Sequence, residues 1–373
     1  MRRRQFFSGT AVLGLSASLL SAQTVFAQTV DTCQAPVSAG TGGAGGAGGI
    51  NVVEEIKALR ISTGPYAGAY EIAPNGLMNW YFANLGLIAI VQYLDGPALD
   101  KYVRTYLDLY LSKLEADTSI RDVQFPFGRT NTSAFTLVLS DSDYSYAATF
   151  LTLATRYLKA SQNWAWWDQK KTRLKDMAYR NITMSVKANG LTSVFQAPRN
   201  QSNNAGYLMD NAEVYRGVRD FSAMLRARGD LADATYYDQF AKNIATGMAA
   251  LFDPGTSAFR MADLSTQTDT SFYPGTSCQV FPQAFGVPEL AGYYDRAWTF
   301  FNSHTTGWET GKLDPYPWAV LGLAAAKRGQ TALAKAQLAS MEKTFVSNRS
   351  LLTINELGFY QRTKSVLAGR ADV

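Results

Sequence analysis

The chain predicts an all-α fold, a closed toroid of helical hairpins or (α/α)6 barrel, and three observations carry that prediction. Long segments with apolar residues at helical spacing alternate with short connections, and strand-like alternation is scarce. Tight punctuation at Asp95-Gly96-Pro97, Arg228-Gly229-Asp230 and Arg328-Gly329 separates consecutive helices and makes neighbours antiparallel. Within each pair the first helix is richer in small and aromatic residues (Ala83, Gly86 and Ala89; Ala147, Ala148 and Ala154). The second is more charged (Lys170, Lys171, Arg173, Lys175, Asp176). An inner buried ring wrapped by an outer solvated ring produces that difference.

Residues 1–27 read as an export signal: Arg2-Arg3-Arg4, an apolar stretch from Ala11 to Leu20, and a small-residue cleavage site at Val25-Phe26-Ala27. Arg3-Arg4-Gln5-Phe6-Phe7 resembles a twin-arginine signal, the alternative being an ordinary secretory signal with a basic start. Either sends the mature protein to the periplasm or outside the cell. Removing this segment deletes three arginines and no acids, so formal net charge falls from +5 to +2. No run of Lys and Arg suggests nucleic-acid binding, and no later segment is apolar for long enough to span a bilayer. Residues 28–50, with Gly42-Gly43-Ala44-Gly45-Gly46-Ala47-Gly48-Gly49, lack core-forming side chains and read as a flexible tether. Cys33 and Cys278 are the only cysteines; export permits a disulfide between them, and two separate thiols fit the spacing equally.

Residues 51–373 carry no second linker and read as one domain, expected to be monomeric. The clearest helices span 76–93, 99–116, 144–161, 170–187, 212–227, 232–251, 289–302, 317–328 and 331–345, with a less regular hairpin around 279–302 and a partial last element near 354–361. An open solenoid would show a tighter, self-similar repeat, which is missing. Long loops at 117–139, 190–208 and 253–277 suit the rim of a site.

Two acidic clusters open inner helices: Asp141-Ser142-Asp143-Tyr144 and Asp210-Asn211-Ala212-Glu213-Val214-Tyr215. Each also matches a capping box, Ser140 with Asp143 and Asp210 with Glu213. Capping does not explain two aspartates beside tyrosines, and a barrel brings both clusters to one rim. Paired carboxylates flanked by aromatic rings are the equipment for glycosidic bond cleavage. Glu213 is the expected acid and Asp141 the base or sugar-distorting group, with Asp210 and Asp143 supporting. Tyr144, Asn211 and Tyr215 supply hydrogen bonds to sugar hydroxyls, Glu71 is a third carboxylate, and Trp80, Trp308, Asp314, Tyr316 and Trp318 complete the binding set. A single histidine, His304, argues against a histidine-rich metal site or a Ser-His-Asp triad. With no phosphate-binding glycine loop or EF-hand spacing either, no cofactor and no metal are expected.

The hairpin rhythm from Glu71 to Phe345 resembles the six-hairpin glycosidase superfamily. Ser140-Asp141-Ser142-Asp143-Tyr144-Ser145-Tyr146-Ala147 is similar to the Asp-x-Asp-x-x-x-Ala segment of family 8 endoglucanases and xylanases, which implies that Asp141 or Asp143 lies near the scissile bond. Asp210-Asn211-Ala212-Glu213 resembles Asp-Asn-x-Glu-like segments that open inner helices in other members. The family 8 general acid lies in a Glu-Gly-x-Gly-Tyr-Gly-like segment, and Glu71-Ile72-Ala73-Pro74-Asn75-Gly76 departs from it. The resemblance implies a glycoside hydrolase acting on a polysaccharide or oligosaccharide; a polysaccharide lyase and a non-catalytic glycan-binding or exopolysaccharide-assembly protein are the alternatives on the same fold.

Overall fold

The computed structural model describes residues 49–372 apart from Asn75 and Ser202, so the expected signal, most of the tether and Cys33 lie outside the described residues. In chain order the α-helices are α1 (Val52–Ala58), α2 (Trp80–Ile90), α3 (Thr105–Lys113), α4 (Tyr144–Ser161), α5 (Trp164–Asn181), α6 (Leu208–Ala227) and α7 (Leu231–Ala249). They continue with α8 (Phe281–Ala284), α9 (Tyr294–His304), α10 (Val320–Lys327), α11 (Thr331–Ser347) and α12 (Ile354–Leu367). Two small antiparallel hairpins interrupt them, β1 (Arg121–Gln124) with β2 (Thr136–Leu139), and β3 (Phe252–Asp253) with β4 (Ala258–Phe259).

The inner ring is closed: α2 packs on α4, α4 on α6, α6 on α8, α8 on α10, α10 on α12, and α12 back on α2. Residues 51–373 form one compact unit, an all-α toroid of helical hairpins. Around the ring, α5 backs α4, α7 backs α6, α11 backs α10, α9 backs the 3-10 turn Ser277–Val280 that leads into α8, and α1 lies against α12 and α2. The small residues of the inner helices set the ring's tightness. A Cβ on Gly86 of α2 would sit 2.8 Å from the Ile354 carbonyl of α12, and one on Gly217 of α6 would strike the Ala148 backbone of α4. Glycine's cost in a helix interior is accepted there because it lets backbones approach. On the other side of α2, Trp80 meets Tyr106 and Tyr110 of α3, and Tyr110 stacks on Phe150 of α4 at 4.1 Å.

Several boundaries move from their expected places. α5 starts at Trp164, because the Asn163 side chain caps it by accepting from Trp166 N–H at 3.1 Å. α6 starts at Leu208, four residues before the expected 212, so Asp210 and Glu213 stand inside the helix. α8 is one turn after a 3-10 turn, and α12 is a full sixth inner helix. Cys278 is fully buried, has no disulfide partner among the described residues, and donates to the Gly275 carbonyl at 3.0 Å.

Candidate active site

Because outer helices return the chain, the inner helices run the same way and their N-termini gather at one mouth. Side chains of the first two helical turns interlock there across helices. Tyr81 of α2 donates to Glu213 Oε1 of α6 at 2.5 Å, reaching past α4, and Tyr144 of α4 donates to Asp210 Oδ2 at 2.7 Å. The Tyr81 ring stacks on Tyr146 of α4, with centroids 5.8 Å apart and 28° between planes. Asp210, Glu213, Tyr144 and Tyr146 are all buried, so these hydrogen bonds act in a medium far less screened than water. Helix N-termini add favourable backbone potential for the acids.

Asp141, in the turn before α4, is half-buried at the same mouth. Asp143 precedes α4 directly, but its carboxylate does not cap the helix. It binds Arg199 at 2.7 Å and accepts Gln196 N–H at 3.1 Å, pinning the rim loop that carries Phe195. Burial pushes the Asp143 carboxyl up to about 6 even though Arg199 pulls it down. The capping-box reading of Ser140 with Asp143 therefore gives way to a loop anchor.

Other expected residues divide. Glu71 is fully buried and pairs with Arg129 at 2.5 Å across the start of the first hairpin. Trp318 stays at the mouth against Tyr273 and Phe272, with centroids 4.7 and 5.8 Å away, and its backbone takes the left-handed φ of +55°. Asp314 closes a local turn by accepting Tyr316 N–H at 3.1 Å, and both are half-buried. Four are placed elsewhere. Asn211 points at the neighbouring loop, where its amide exchanges bonds with Thr192. Tyr215, two residues past Glu213 and so on the far face of α6, donates to Glu289 at 2.7 Å. Trp80 is fully buried and donates its indole N–H to Arg121 O at 2.8 Å, and Trp308 packs on Trp298 and Phe301. Their aromatic surface belongs to the core.

Three groups at the mouth escaped the sequence reading as site residues: Tyr81, Asp122 and Glu356. Asp122 lies on β1, fully enclosed, and receives Asn79 Nδ2 at 2.7 Å, Tyr146 O–H at 2.6 Å and Trp80 N–H at 3.1 Å. Burial, with a contribution from Asp141, pushes its carboxyl up to about 8. Glu356 is the third residue of α12, as Asp210 is of α6, and it accepts Ala319 N–H at 2.5 Å. That shared register is the signal that would have found it. Among the described residues no group of histidine, cysteine or acidic side chains has the arrangement of a metal site.

No family model matches the chain, and no curated protein matches it. Solved structures do match its fold. A rhamnosidase from Klebsiella oxytoca with rhamnose bound aligns at a TM-score of 0.55 and 13% identity, over 79% of this chain and 55% of its own. A glycosidase variant with a glutamate replaced by alanine aligns at a TM-score of 0.56 and 11% identity, over 86% of this chain and 96% of its own. The wild-type glycosidase aligns over the same shares at a TM-score of 0.54. The chain thus has a six-hairpin glycosidase-like fold.

Proposed function

We propose that this protein is an exported glycoside hydrolase that cleaves a polysaccharide or oligosaccharide by carboxylate acid–base chemistry at the mouth of the toroid. The observation that carries the reading is the Tyr81–Glu213 bond, which draws a carboxylate and a phenol from non-adjacent inner helices to one point. Buried acids and aromatic rings surround that point, on a fold whose solved counterparts include glycosidases. In this reading Glu213 protonates the leaving oxygen and Asp141 activates water or attacks the anomeric carbon. Asp210, fixed by Tyr144, orients the substrate, and Asp143 holds the rim loop through Arg199. Tyr273, half-buried and backed by the buried Trp318 ring, offers aromatic surface to a sugar ring. Export rests on the N-terminal basic and apolar segments.

The test is product release from a panel of bacterial and plant polysaccharides by the mature chain. New reducing ends without ultraviolet absorption are expected. An unsaturated, ultraviolet-absorbing product would replace the reading with a lyase, and binding without products would replace it with a glycan-binding protein.

A further inference from the structure

The hydrolase reading gives Asp122 no part, yet three hydrogen bonds tie this residue to the site. It is 1% exposed and sits on β1, the strand that flanks the first turn of α2. Asn79, whose Oδ1 caps α2 by accepting Phe82 N–H at 2.9 Å, gives its Nδ2 to both Asp122 Oδ2 and Tyr146 Oη, each at 2.7 Å. Asp122, Asn79 and Tyr146 therefore close a three-membered hydrogen-bonded ring. No lysine or arginine among the described residues forms an ion pair with Asp122, so its donors are all neutral. Two paths lead from it to Tyr81. Its Oδ1 holds the N–H of Trp80, the residue directly before Tyr81. Its Oδ2 holds the hydroxyl of Tyr146, whose ring is stacked on Tyr81.

We propose that Asp122 is a positioning residue for Glu213, fixing Tyr81 from both sides so that its hydroxyl meets the Glu213 carboxylate. The proposal rests on the hydrolase reading for its effect on catalysis, but not for its geometry. A buried carboxyl without a cation favours its neutral form. Neutral Asp122 must place a hydrogen among three donors, and reversing the 2.6 Å bond with Tyr146 accommodates it. On ionisation that proton leaves to solvent and all three donors point at the carboxylate. The other titratable groups facing Asp122 are Tyr146 and Asp141 from α4 and the turn before it, and Tyr106 and Tyr110 from α3. Burial holds the Tyr106 and Tyr110 phenols well above their usual range and pushes the Asp122 carboxyl up to about 8.

The experiment pairs kinetics with a structure. In the mature chain, Asp122→Asn is expected to lower kcat about 100-fold with KM changed less than about twofold, the size of one misaligned acid–base group, and to remove a limb of the wild-type pH profile near 8. A crystal structure of the same variant should show Tyr81 Oη withdrawn from Glu213 Oε1. Tyr146→Phe keeps the ring and the buried carboxyl, and should reproduce the kinetic loss if Asp122→Asn does not fold. An unchanged 2.5 Å Tyr81–Glu213 contact in the variant structure, or an unchanged pH profile, overturns the proposal. Failure of the wild type to cleave any glycan overturns the hydrolase reading instead, and the crystallographic distance still decides the positioning role.

Discussion

The floor of the toroid offers a sharp test of the packing argument. Asp372 folds back against the C-terminal ends of α10 and α12, where Arg362 holds it in a two-pronged grip at 2.8 and 2.8 Å and Lys327 reaches it at 2.6 Å. Lys327 also donates to Ala284 O at the end of α8, so one carboxylate ties three inner helices together. The side chains of Asp372 and Arg362 are 7% and 4% exposed. Replacing Asp372 by asparagine keeps the shape and strands two cations out of water. Breaking a buried pair in this way costs about 3–5 kcal/mol. An unfolding entropy of about 2.1 cal/mol/K per residue over roughly 320 residues gives about 0.7 kcal/mol/K, so Tm should fall by about 4–7 °C at pH 7.

The pH dependence sharpens this test. Burial pushes the Asp372 carboxyl up, but Arg362 and Lys327 outweigh it and hold it well below the usual carboxylate range. Its stabilisation is therefore present above the unfolded carboxylate value of about 4 and fades as pH falls below it, so the wild type and the Asn variant should converge in acid. Burial lowers the Lys327 ammonium to about 8, so above that pH the lysine sheds its charge and the variant's penalty should shrink. Circular dichroism melts at pH 3, 7 and 9 measure all of this. A Tm change below about 1 °C at pH 7, or one independent of pH, would mean that the Asp372 cluster does not hold these helices together.

Two further predictions concern the ring and the site. Gly217→Ala should cost about 1–3 kcal/mol by overpacking α6 against the Ala148 backbone, whereas Gly96→Ala, with open space around it, should leave the melt nearly unchanged. Burial raises the folded Asp122 carboxyl to about 8, so the wild type should lose stability as pH rises from about 4 to 8. Asp122→Asn should flatten that slope in melts taken between pH 5 and 8.5; an equally steep slope in the variant would mean that another group sets it.

Much of the ring was legible because apolar spacing and Gly-containing turns report hairpins directly. The α8 segment registered only as a less regular hairpin around 279–302, since it compresses an inner helix into a 3-10 turn and one α-turn among Pro274, Gly275, Pro282 and Gly286. The start of α5 was missed because Trp164, Trp166 and Trp167 carry no helical signature of their own; the Asn163 cap sets it. At the site, the two acidic clusters stood out by composition, but an i, i+3 acid pair looks the same as a cap or as a cleft-facing pair. What separates the roles is tertiary: Asp143 finds Arg199 and Asp210 finds Tyr144. Asp122 was invisible because its partners, Asn79 and Tyr146, lie 43 and 24 residues away and meet it only once the ring closes.

Initial rates of reducing-end release by the wild type and by Glu213→Gln decide whether Glu213 carries acid–base chemistry at the mouth. That substitution keeps an acceptor for the Tyr81 hydroxyl and removes the transferable proton. The expected result is a loss of about 100- to 10,000-fold in kcat with an unchanged melt. Wild-type rates in the folded variant would contradict it and move the chemistry to another carboxylate.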